Sequence, residues 1–136
     1  MHQFDLKNKT AIITGGAQGF GLNIAKRFLK SGAKAIIWDI DEEELKKAIK
    51  AVNDPNLSYN IVDVSTFKNV KDTVDEIRKS SNIDILINHA GITGSTSSLW
   101  DNDVVEWNRI IEINLMGTFN CCKCVVPYMI KNDMVE

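Results

Sequence analysis

The sequence predicts an α/β fold, a doubly wound parallel sheet with helices on both faces. Three observations predict it. Short β-branched runs alternate with amphipathic stretches, the runs are continuously apolar as strands buried on both faces are, and a glycine-rich turn joins the first run to the first amphipathic stretch. A chain of 136 residues is long enough to bury a core and short enough for one domain, spanning 1–136.

The elements follow in order. Thr10-Ala11-Ile12-Ile13-Thr14 is an apolar strand closed by Gly15-Gly16, and Leu22 to Leu29 reads as a helix with Ile24, Ala25, Phe28 and Leu29 on one side. Gly32 stops that helix, and Ala35-Ile36-Ile37-Trp38 forms a second strand ending at Asp39. Asp41 with Glu44 resembles a capping box, and Leu45, Ala48, Ile49 and Val52 repeat at helical spacing behind it. After a turn at Asn53-Asp54-Pro55-Asn56, a third strand is expected over Leu57 to Val64, with Ser65 as N-cap of a helix presenting Val70, Val74 and Ile77. Ile83 to Ile87 reads as a fourth strand and Gly91 to Ser98 as a loop. Two helices close the chain, one carrying Val104, Trp107 and Ile111, the other running from about Leu115 toward Met129, where Pro127 is expected to kink or shorten it.

Composition excludes several classes. Lys and Arg total 16 against 18 Asp and Glu, a net charge of -2, so there is no basic field for nucleic acid or acidic membranes. Met1 to Lys7 lacks a basic segment followed by an apolar one, which points to a cytoplasmic address. The apolar stretch from Ile110 to Ile130 is interrupted by Glu112, Asn114, Asn120 and Lys123 and reads as buried helix, not a membrane span. Cys121, Cys122 and Cys124 have no further ligands at zinc spacing and read as reduced thiols with no metal.

The chemistry sits in Thr14-Gly15-Gly16-Ala17-Gln18-Gly19-Phe20-Gly21, between the first strand and its helix. Gly15 and Gly19 permit backbone angles and close approach that a Cβ would block, Gly21 allows tight helix-to-sheet packing, and the helix directs its positive end at an anion. A glycine cluster alone is a common turn; between a strand and an amphipathic helix it indicates dinucleotide binding. Asp39, at the end of the second strand, suits the two ribose hydroxyls and would repel a 2′-phosphate, and neither Gln18 nor Ile40 supplies a cation, so NAD is the expected cofactor. Asp41 is a second candidate for the ribose role. Gln18 and Phe20 in the turn and Ile40 after the strand complete the contacts expected from this region.

With these motifs the chain resembles the short-chain dehydrogenase/reductase family. Thr14 to Gly21 matches its TGxxxGxG, Asp63-Val64 its third-strand acidic position, Asn88-His89-Ala90-Gly91 its NNAG and Asn114 its helix-embedded asparagine, in the family's order. The resemblance implies a Rossmann fold in which Gly15, Gly19 and Gly21 frame the pyrophosphate and Asp63 and Val64 meet the adenine. It also implies that Asn88 braces the central strands, that Ala90 and Gly91 let the cofactor pass, and that Asn114 holds a water in a proton relay as the one catalytic residue here. His89 stands where the family usually has a second Asn, and is read as a tolerated variant.

The family's catalytic Ser and Tyr-x-x-x-Lys are expected beyond Glu136; Tyr128 with Lys131 has the wrong spacing and lies in a helix used for packing. The expectation is an incomplete domain, ending after the helix that follows strand four, with that strand as an edge. Together with the apolar stripe Phe119, Cys122, Val125, Val126 and Met129 on a helix that the family uses for dimerisation, the edge points to a homo-oligomer and not a stable monomer. The function implied is an NAD-linked oxidoreductase moving hydride between nicotinamide and a carbonyl or secondary alcohol, nearest to 3-oxoacyl-thioester reductases and sugar or polyol dehydrogenases, with this chain holding the cofactor half. The alternative is an NAD-binding or interaction module without catalysis. A methyltransferase leaves Asn88 to Gly91 and Asn114 without roles, and a P-loop nucleotidase needs a Lys-Ser/Thr pair that Leu22-Asn23 do not supply.

Overall fold

A computed structural model describes residues 4–133, so Met1 to Gln3 of the Met1 to Lys7 reading lie outside the described residues. Four parallel strands, β1 (Thr10–Thr14), β2 (Lys34–Asp39), β3 (Leu57–Ile61) and β4 (Ile85–Ile87), form one sheet in the order β3-β2-β1-β4. Between and after them run α1 (Gly19–Lys30), α2 (Glu42–Val52), α3 (Phe67–Arg78), α4 (Val104–Ile111) and α5 (Gly117–Asp133). A π turn over Glu112–Met116 joins α4 to α5. The register sets Ile12 opposite Ile36 and Leu86.

Alternation along the central strands separates two cores. Ala11 and Ile13 of β1 and Ala35 and Ile37 of β2 pack with Ala25 of α1 and Leu45 and Ala48 of α2 on one face. Ile12 and Trp38 point the other way, against Val70, Val74 and Ile77 of α3 and Cys121, Cys124 and Val125 of α5. All five residues of β1 are buried, as a central parallel strand requires.

Helix boundaries follow local chemistry. Asp41 accepts the Glu44 N–H at 3.1 Å and caps α2, and Asn53 ends it in the left-handed region at φ 50. The third strand stops at Ile61, not at Val64, because Asp63 turns the chain: its Oδ1 accepts both the N–H (3.0 Å) and the hydroxyl (2.6 Å) of Ser65. With Ser65 engaged in that Asx turn, Thr66 becomes the N-cap of α3, without a side-chain capping bond. α1 starts at Gly19 instead of Leu22, since the glycine turn itself supplies the first helical residues.

Ile83 is buried ahead of β4 but does not join the ladder; at Asp84, the backbone N–H donates to Thr10 O and the carboxylate accepts the Thr10 N–H, both at 2.9 Å. Pro127 neither ends nor shortens α5, which continues to Asp133. The expected buried helix from Ile110 to Ile130 is two-sided instead. Ile113, Cys121 and Val125 are buried, whereas Leu115, Phe119, Val126 and Ile130 face solvent.

The predicted stripe therefore divides, with Val125 in the core, Met129 packed against it, and Phe119 and Val126 outward. No helix among the described residues is long and apolar enough to cross a membrane. The two caps give a test: Asp41→Ala should cost about 1 kcal/mol in urea unfolding and Thr66→Ala only a few tenths, roughly, because only Asp41 makes the capping bond.

Candidate dinucleotide site

The carboxyl ends of β1, β2 and β4 and the segment after β3 surround a groove of about 320 Å³. It lies where the chain switches from one side of β1 to the other, the position at which open parallel sheets receive ligands. Its floor is Trp38, fully buried with Nε1 donating to Asn60 Oδ1 at 3.2 Å, together with Val62 and Ile113.

The glycine turn forms one wall. Gly15 has φ +62, and a Cβ there would lie 2.9 Å from Ala90 Cα; Gly19 has φ +60, and a Cβ there would meet nothing within 4 Å. A Cβ on Gly21 would collide with the Gly15 carbonyl oxygen. Gly15 and Gly21 thus serve the chain's own close packing, and Gly19 keeps open space beside the start of α1.

That helix end suits an anion. Its N-cap, Gln18, makes no side-chain capping bond, and the first turn carries no acidic residue. A helix begins with N–H groups that have no intrahelical acceptor, and here no side chain of the cap satisfies them. The residues present therefore fit a pyrophosphate.

Across the groove, Asp39 accepts the N–H groups of Ile40 (2.8 Å) and Asp41 (3.2 Å) with Oδ1, which leaves Oδ2 for a ligand. Asp63 and Val64 line the same groove, and the Asp63 N–H is held by Asn69 Oδ1 at 2.8 Å. Of the residues predicted for the site, Gly15, Gln18, Asp39, Ile40, Asp63, Val64, Ala90 and Gly91 line the groove; Gly19, Phe20 and Gly21, which follow Gln18 in the chain, are not in the lining, and Phe20 is exposed. Asn88 is not in the lining: its Nδ2 donates to Cys122 Sγ of α5 at 3.4 Å.

Asn114 sits in the π turn with both ends of its amide taken by Ile92: Oδ1 accepts the Ile92 N–H and Nδ2 donates to the Ile92 carbonyl, each at 2.8 Å. It pins the loop that follows Gly91. Tyr128 lies outside the groove lining, with its hydroxyl donating to Asp75 Oδ1 at 3.3 Å and its ring 3.5 Å under the Arg78 guanidinium.

Several contributors, among them Thr14, Asn120 and Arg109, had no role assigned from the sequence. Thr14 is buried, and its Oγ1 accepts the N–H groups of His89 (3.0 Å) and Ala90 (2.9 Å) while donating to the Ile87 carbonyl at 3.4 Å. One hydroxyl therefore fastens the end of β1 to the loop after β4. Asn120, also buried, donates Nδ2 to the Val64 carbonyl at 2.9 Å and fixes the opposite wall to α5. Arg109 reaches the groove one helical turn before Ile113, and that i, i+4 spacing was the available signal.

The thiols stand apart from the groove. Burial pushes the Cys121 thiol up to about 12 and raises that of Cys124, so neither readily forms the reactive thiolate. No group of three or more metal-ligating side chains occurs among the described residues.

Comparison with known proteins places this geometry in a family. Residues 9–134 match the family model for short chain dehydrogenase, and the chain belongs to that family. It is 39% identical over 130 residues to the 3-oxoacyl-(acyl-carrier-protein) reductase FabG of Chlamydia muridarum, covering 93% of this chain and 52% of that protein. It is 36% identical over 128 residues to the 2-dehydro-3-deoxy-L-rhamnonate dehydrogenase (NAD(+)) of a Sphingomonas strain, covering 91% of this chain and 49% of the relative. Among solved structures, the 3-ketoacyl-(acyl-carrier-protein) reductase of Brucella melitensis complexed with NADH superposes with a TM-score of 0.89 at 29% identity, over 94% of this chain and 53% of that one. The chain spans about half the length of the curated relatives it matches.

Two outcomes follow from the geometry. Thr14→Val keeps the shape but leaves two backbone N–H groups unpaired, and should lower stability by about 2 kcal/mol or more in urea unfolding. A thiol reagent at pH 8 should modify half-exposed Cys122 first, with Cys121 reacting only on unfolding.

Proposed function

We propose that this chain is the cofactor-holding half of an NAD(H)-dependent oxidoreductase acting on a carbonyl or secondary alcohol. The observation that carries the reading is the uncapped, acid-free start of α1 beside open Gly19, facing Asp39 across the groove. A bound nicotinamide dinucleotide would supply hydride donation or acceptance. Backbone N–H groups of the turn would hold its phosphates, Asp39 Oδ2 the adenosine ribose hydroxyls, and Asp63, Val64 and Ile113 the adenine end. Ala90 and Gly91 would let it pass close to the main chain, and Asn114 would keep the Ile92 loop in place beside it.

NAD is favoured over NADP because Asp39 would repel a 2′-phosphate and the adjoining Ile40 offers it no cation. Oxoacyl-thioester and sugar-acid relatives support the carbonyl and alcohol substrate class. The three thiols, none in a disulfide, fit a reducing compartment, and we also infer a cytoplasmic address. Outward Phe119, Val126 and Ile130, with β4 at the sheet edge, support a homo-oligomer.

A second reading, binding without turnover, is favoured by one observation. The described lining is built of main-chain groups, Asp39, Asp63, His89 and Arg109 around an anion-binding turn, which suffices for binding alone. Calorimetry beside a turnover assay on 3-oxoacyl and sugar substrates separates the two, since binding with no turnover selects the module.

Calorimetry should give NAD+ at least ~10-fold tighter binding than NADP+, a difference of about 1.4 kcal/mol. The double variant Asp39→Ala with Ile40→Arg should reverse the order; equal affinities in the unaltered protein would refute the assignment. Sedimentation at micromolar concentration should show an associated species, and a stable monomer would refute the oligomer.

A further inference from the structure

The loop after β4 places an imidazole at the groove. His89 lines it, and its Nδ1 lies 3.2 Å from where a Cβ on Gly15 would stand, so the ring sits against the bare face of the glycine turn. Its backbone is fixed by the N–H bond to Thr14 Oγ1 at 3.0 Å. The side chain is exposed and has no hydrogen bond or ion pair among the described residues.

The other charged groups lining the groove are Asp39 at the end of β2, Asp63 after β3 and Arg109 of α4; the glycine turn contributes neutral Gly15 and Gln18. Two carboxylates against one guanidinium is a poor field for a pyrophosphate carrying two negative charges. The backbone N–H groups offset this with partial charges only. Imidazole is the side chain type whose charge changes between pH 5 and 8, and its cationic form donates from both nitrogens.

Resting on the dinucleotide reading above, we propose that His89 is a cofactor-binding side chain whose cationic ring pairs with the pyrophosphate, so that this chain binds its dinucleotide more tightly as the pH falls. The sign follows from linkage. Binding favours the protonated ring, proton uptake accompanies it, and affinity rises on the acid side of the imidazole's transition. An asparagine at this position keeps a hydrogen-bonding amide and loses the charge.

The test is NAD+ calorimetry between pH 6.0 and 8.0 on the unaltered chain and on His89→Asn. The unaltered chain should tighten by roughly 5- to 10-fold toward pH 6.0, the size of effect expected of a charge-assisted hydrogen bond, and His89→Asn by less than about twofold. The same pH profile in both proteins, or a flat profile in the unaltered chain, overturns the role of His89 while leaving dinucleotide binding intact. No NAD+ binding at any pH in either protein overturns the dinucleotide reading, and this inference with it. Should His89→Asn fail to fold, proton NMR of His2→Gln, in which His89 is the only histidine, gives the same answer. Its titration midpoint must rise on adding NAD+, and an unchanged midpoint refutes the pairing.

Discussion

The Thr14 hydroxyl is the contact on which the site depends. It terminates β1, and the two N–H groups it accepts belong to residues that follow β4, so the two lips of the groove are held together through one oxygen. A parallel sheet leaves such a gap wherever its connections diverge to opposite sides of a strand. The ladder between β1 and β4 ends at Ile13 and Ile87, and the Thr14 hydroxyl carries the tie beyond it. So fastened, the β1–α1 turn and the loop after β4 place the start of α1, Gly15 and His89 on one rigid rim.

The other walls are secured by the same kind of device, a side-chain amide gripping a backbone group far away in sequence. Asn120 of α5 holds the Val64 carbonyl, and Asn114 holds both polar groups of Ile92. The π turn carries Asn114 into that position between α4 and α5, which suits the frequency of such turns at functional sites. The polar side chains of Thr14, Asn114 and Asn120 are thus spent on the frame. The ligand is left with main-chain donors, two carboxylates, a guanidinium and an imidazole.

This division explains what was legible in the sequence. Strands β1 and β2, the glycine turn, the Asp41 cap and Asp39 are all announced by residues within a few positions of one another, and each stands where its local chemistry places it. Errors arose where a side chain outcompeted the pattern. Asp63 captured Ser65 and ended β3 early, and the helix carrying the last apolar stretch turned half of its surface outward. The Thr14 bonds join residues 75 and 76 positions apart, so no local reading could find them. Asn88, expected to brace the central strands, donates to Cys122 of α5, a partner 34 positions away that no local pattern announces.

The central claim is that phosphates of a dinucleotide rest on bare main chain at the start of α1. Backbone amide NMR shifts on titrating NAD+ into the protein measure it most directly. The account predicts the largest changes at Gly15 to Gly21, with further changes at Ile40 and Val64 and none around Tyr128. Changes confined to the α3–α5 face, with the glycine-turn amides unmoved, would contradict it.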